Sequence, residues 1–172
     1  MEKRFSERTI TAQGRKIIGH AAVFNQTAKV VVNGRVVTER IAPGAFKRTL
    51  REQRDVLALI DHDPTRLLGR TKSQTLRLRE DTVGLAFEID LPDTQAARDT
   101  LALAERGDLG GGSFGFIAKR ETWNADKTER TVHEAELYEI SVIASHPAYA
   151  TEVHARAAEQ AEPLTARGRR LR

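Results

Sequence analysis

The stretch GDLGGGSFGF, Gly107 to Phe116, decides the fold. Within it Gly111-Gly112-Ser113-Phe114-Gly115 matches the G-x-S-x-G pattern of α/β-hydrolases. That pattern works only where an apolar strand leads into the serine and a helix leads out, because the sharp strand-to-helix turn is what exposes the hydroxyl. Here the order is reversed. DTQAARDTLALAERGD (Asp93 to Asp108) precedes the glycines and reads as a helix, with Asp93 as N-cap and Gly107 as stop. SFGFIAKRETW (Ser113 to Trp123) follows and alternates like a strand. Ser113 therefore opens a strand after a glycine turn, and a small-esterase reading rests on the pattern alone.

Outward from this stretch the chain is rich in strands. KIIGHAAVF (Lys16 to Phe24) is compact and apolar, and Val30 to Ile41 holds two β-branched runs around Asn33-Gly34, a strong hairpin signal. AFKRTLREQ (Ala45 to Gln53) reads as a short helix after Pro43-Gly44. Val56 to Ile60 is a buried strand that runs into Asp61-His62-Asp63-Pro64, where a loop is expected to begin. Thr75 to Glu80 and Gly84 to Leu91 make an antiparallel pair, Glu129 to Ser145 a long strand region, and Thr151 to Glu162 a helix. The sum is a mostly β, α+β domain: an antiparallel, closed or partly open β-barrel flanked by two or three helices. Residues 1–150 form the domain and 151–172 a C-terminal helix and basic tail.

Composition narrows the chemistry. The chain has 172 residues and no cysteine, which excludes disulfides and thiolate nucleophiles. No apolar run approaches the ~20 residues that cross a bilayer, and MEKRFSERTI has no apolar stretch behind it, so a soluble, intracellular protein is expected. The net charge of +4 equals the four arginines of the last stretch, ARGRRLR (Ala166 to Arg172). Such a tail suits nucleic acid or an acidic protein surface. SFGFIAK also resembles the RNA-binding RNP1 core, but without its leading basic residue and with Lys119 in place of its final aromatic. A non-enzymatic basic capsid or nucleic-acid binding module is accordingly the alternative reading.

A serine nucleophile needs a base and a group to orient that base. Of the five histidines, His62 is the best placed, at the mouth of a buried strand. His20 reads as a packed or half-exposed strand residue, His133 as solvated, and His154 as one of a charged helix. His146 at a strand end is one candidate for the third group. Glu139 is the other, a carboxylate before the apolar run ISVIA that demands a partner. A metal at Asp61-His62-Asp63 is disfavoured, because adjacent strand residues point to opposite faces.

Six segments in order carry a resemblance: GHAAVFN, ERIAPGAF, LIDHDPTRLLGRT, GLAFEIDLP, GGSFGF and ELYEISVIASHPAY, from Gly19 to Tyr149. Together they resemble the prohead maturation proteases of tailed bacteriophages, a family related in fold to the herpesvirus capsid assembly proteases. The resemblance implies a herpesvirus-protease-like fold and a serine endopeptidase without cofactor or metal. Ser113 would be the nucleophile, His62 the general base and Glu139 the acidic third member, where the herpesvirus relatives use a second histidine. Arg70, Gly112 and Phe114 would support the site or its oxyanion. The implied substrate is the major capsid protein precursor or its scaffold segment, cut inside the immature capsid in the host cytoplasm by a dimer or an assembly-dependent oligomer. Neither membrane nor nucleic acid is an expected partner.

Overall fold

The computed structural model describes residues 1–6 and 10–144, so His146, His154, the helix expected over 151–162 and the basic tail lie outside the described residues. Among the described residues eleven strands and two helices alternate in two sheets. The larger sheet is centred on β10 (Gly111–Trp123) and β11 (Glu129–Ile143), the longest antiparallel pair. The strand β1 (Glu2–Ser6) pairs with the outer side of β10. On the other side β11 takes two parallel partners in succession: β5 (Arg35–Ile41) along its first residues and β6 (Leu57–Ile60) along its last. The strand β4 (Ala28–Val32) extends β5, and β7 (Asp63–Arg70) extends β6.

The change of partner leaves a gap along β11 that the short helix α1 (Lys47–Arg51) fills. Its buried Thr49 donates its hydroxyl to Ala135 O at 3.1 Å and accepts from Leu137 N at 3.1 Å. Backbone groups that would otherwise be buried without partners are thereby satisfied.

The smaller sheet runs β2 (Thr11–Gln13), β3 (Lys16–Val23), β9 (Gly84–Asp90), β8 (Leu76–Glu80), all antiparallel. The helix α2 (Gln95–Arg106) follows it and buries Ala97, Thr100 and Ala104. Thr94, not Asp93, is its N-cap: the Thr94 hydroxyl accepts from Ala97 N at 3.3 Å, while Asp93 pairs with Arg98. Gly107 ends it in a left-handed conformation, φ 77°.

Among the described residues no closed barrel forms. The two sheets meet by packing rather than by ladder hydrogen bonds. At Gly112 a Cβ would stand 2.5 Å from His20 O, so the glycine lets the backbones of β10 and β3 touch. Aliphatic side chains, with Phe24, Phe46, Phe114 and Phe116, fill the space between, and the Phe46 and Phe114 rings meet edge-on at 5.5 Å.

Candidate active site

His62 owes its position to a two-residue turn. Ile60 of β6 faces Asp63 of β7, so Asp61 and His62 alone connect the strands. Both have positive φ, 49° and 60°, as tight hairpin turns of this kind require. Asparagine or glycine usually fills such positions; other residues there cost about 1–3 kcal/mol each unless their surroundings hold them. The end of β11 does so. Asp61 N donates to Val142 O at 3.0 Å, Ala144 N donates to Asp61 Oδ1 at 2.9 Å, and His62 N donates to Ser141 Oγ at 3.1 Å. The loop expected after Ile60 is therefore this turn, and Asp63-Pro64 already belongs to a strand.

Register brings the other groups to it. Parallel pairing sets Val142 of β11 beside Ile60, so Glu139 and Ser141 run up toward the turn on one face. Antiparallel pairing sets Ser113 opposite Ser141 and Gly115 opposite Glu139. The outcome is a continuous chain of hydrogen bonds. His62 Nδ1 lies 2.6 Å from Glu139 Oε1, and His62 Nε2 lies 2.7 Å from Ser113 Oγ. Ser141 donates to Glu139 Oε2 at 2.8 Å, which leaves both carboxylate oxygens engaged. Glu139 and Ser113 are 4% and 2% exposed. A carboxylate so deeply placed is tolerable only with partners of this kind.

The glycines have specific tasks. A Cβ on Gly115 would collide with Glu139 Oε1, and one on Gly111 with Ser6 O. The last glycine of the G-x-S-x-G pattern is thus the space that the Glu139 carboxylate occupies, not part of a nucleophile elbow. Nothing in the local sequence signals this, because the clash comes from a strand some 25 residues away.

The remaining candidates are placed as follows. Gly112 and Phe114 flank Ser113 in β10, with the Phe114 ring in the core. The Arg70 guanidinium pairs with Asp55, its Nε 3.1 Å from Asp55 Oδ1, and donates to none of His62, Ser113 or Glu139. His20 pairs with Asp81 in the smaller sheet and His133 with Thr122. Phe114 and Phe116, the aromatics of the RNP1-like stretch, are 2% and 0% exposed and cannot stack on bases. Among the described residues no three His, Asp or Glu side chains cluster so as to hold a metal ion, and no helix is long and apolar enough to cross a membrane. Sequence reasoning missed Ser141, which fixes both Glu139 and the turn, and Arg4, whose carbonyl oxygen lies 2.5 Å from Ser113 Oγ.

An imidazole between a carboxylate and a hydroxyl can take the hydroxyl proton as the oxygen attacks an electrophile. A family model described as Caudovirus prohead serine protease matches residues 3–165. No curated protein and no solved structure matches the chain.

Proposed function

The chain belongs to the caudovirus prohead serine proteases, and from that premise we propose that Ser113 is its nucleophile, His62 its general base and Glu139 the group that orients and charges the base. The observation that carries this reading is the unbroken chain from Glu139 Oε1 to His62 Nδ1, 2.6 Å, and from His62 Nε2 to Ser113 Oγ, 2.7 Å. Glu139 accepts the Nδ1 proton and so presents Nε2 as the basic nitrogen. His62 takes the Ser113 proton as Oγ attacks the scissile carbonyl. The imidazolium that results is stabilised by the buried carboxylate, which Ser141 holds in place. His62 then protonates the leaving amine, and water, activated by the same nitrogen, hydrolyses the acyl-enzyme. Gly112, Phe114 and Arg70 are the proposed support for the site and its oxyanion, with Arg70 acting only once freed from Asp55.

The substrate is the major capsid protein precursor or its scaffold segment, cut within the immature capsid in the host cytoplasm, with the enzyme as a dimer or an assembly-dependent oligomer. Residues 1–150 carry the protease. Residues 151–172 hold five arginines, which suit an acidic scaffold.

Co-expression with the capsid precursor of the same phage, followed by intact masses, tests the reading. Trimming is expected with the wild-type chain and is absent with Ser113→Ala; trimming that persists with Ser113→Ala refutes it.

A further inference from the structure

We propose that β1 lies in the place of a substrate strand: the N-terminal strand is a built-in, displaceable occupant of the cleft, and the segment that replaces it carries a basic side chain where Arg4 now sits. The inference rests on Ser113 being the nucleophile.

Three observations carry it. The first is competition for one proton. The Ser113 hydroxyl has a single hydrogen, yet Oγ lies 2.7 Å from His62 Nε2 and 2.5 Å from Arg4 O. When the hydrogen goes to the Arg4 carbonyl, His62 cannot take it. The contact also puts a peptide carbonyl of an extended strand against the nucleophile, where a scissile carbonyl has to come.

The second is the form of the contact. The strand β1 pairs antiparallel with β10 from Glu2 opposite Phe116 to Ser6 opposite Gly112, and it is the end strand of its sheet. Addition of an extended segment to the edge of β10 is a general mode of peptide recognition. The seat is imperfect at one end, where buried Ser6 Oγ has no hydrogen-bond partner among the described residues.

The third is charge. The Arg4 guanidinium grips both carboxylate oxygens of Glu39, at 2.5 and 2.9 Å, and lies 5.4 Å from the centre of the Phe116 ring. Glu39 is 3% exposed and is shared with Arg130, itself 3% exposed and bonded to Glu2 and Glu121. Glu2 and Arg4 leave together with β1. The net charge of the cluster is unchanged by this, but buried Glu39 loses the guanidinium that holds both its oxygens and keeps only its bond from Arg130. A lysine or arginine on the incoming strand replaces that partner; a glutamate there sets a second carboxylate against Glu39.

The test uses the full-length chain and a fluorescein-labelled hexapeptide of sequence MEKRFS, with an analogue bearing glutamate in place of arginine. Anisotropy measures peptide binding to the wild-type and Arg4→Ala chains, and hydrogen exchange follows the amides of β1. The Arg4→Ala chain should bind the parent peptide at least tenfold more tightly than the wild type, because its own strand is released. The glutamate analogue should bind at least tenfold more weakly than the parent. Exchange should quicken tenfold or more in β1, while β3 and β9 stay protected. Equal affinity of the two chains for the parent peptide overturns the proposal, as does equal affinity of the two peptides. Should Arg4→Ala lose its cooperative melt, Arg4→Lys, which keeps a cation but not the fork, replaces it and is held to the same criteria. Neither readout uses the serine hydroxyl. Failure here is therefore distinct from failure of the nucleophile assignment, whose mark is precursor trimming by Ser113→Ala.

Discussion

Each sheet holds a histidine against a carboxylate, and the two pairs differ in everything but distance. His62 Nδ1 lies 2.6 Å from Glu139 Oε1 in the larger sheet; His20 Nε2 lies 2.8 Å from Asp81 Oδ2 in the smaller. Asp81 serves a turn: its Oδ1 accepts from Val83 N at 2.8 Å and Gly84 N at 2.9 Å, closing the connection between β8 and β9. Burial pushes the Asp81 carboxyl up, but hydrogen bonds from the Gly84 amide, His20 and the Val83 amide outweigh it and hold the group at about 2. His20 sits within β3, and among the described residues its side-chain bonding ends at Asp81. His62 sits on a turn whose positive φ angles swing its second nitrogen onto the Ser113 hydroxyl. A histidine–carboxylate pair is thus a common structural device. What sets the larger sheet's pair apart is that backbone geometry also brings the far nitrogen of His62 to a serine hydroxyl.

The largest break in this comparison comes from the proposed nucleophile and base. Ser113→Ala or His62→Ala should lower the rate of precursor cleavage by about 10⁴–10⁶-fold, while His20→Ala should leave it within about twofold, all read from the time course of product masses. Glu139→Gln should follow, with a loss of about 10⁴-fold, because an amide lets His62 settle in the wrong tautomer; circular dichroism should register no loss of strand. Gly115→Ala is a subtler break. Its Cβ must push the Glu139 carboxylate aside, and a shift of about 1 Å in such a group costs about 10²-fold in rate, with little change in KM. The smallest effect belongs to the smaller sheet. The folded Asp81 value lies below the ordinary carboxylate value, so its contribution to stability is full above about pH 4 and is lost as pH falls toward about 2. Thermal melts of Asp81→Asn should lack that part of the wild-type decline, with cleavage at neutral pH unaffected.

Where local chemistry dictates structure, the sequence was legible. Asn33-Gly34 forms its hairpin turn with φ 51° and 77°, and Gly107 stops α2. The three residues that the structure brings within hydrogen-bond reach, His62, Ser113 and Glu139, stand out in the sequence as a strand end, a glycine turn and a carboxylate among apolar neighbours. What was not legible depends on distant partners. Asp61-His62 carries no hairpin signature, because its unusual backbone is fixed by Val142, Ser141 and Ala144 rather than by its own side chains. Gly112 and Gly115 are spaces cut for His20 O and Glu139 Oε1. Nor does any local pattern tell whether strands close on themselves or stack as two sheets, since that is decided by which edges pair. The covering of Ser113 by β1 joins residues 109 positions apart.

The central claim is that His62, and not the equally paired His20, activates Ser113. The most direct test is to co-express the capsid precursor with His62→Ala in one culture and His20→Ala in another, and to weigh the precursor from each. The account predicts full-length precursor with His62→Ala and trimmed precursor with His20→Ala. Trimmed precursor with His62→Ala, or intact precursor with a folded His20→Ala chain, would contradict it.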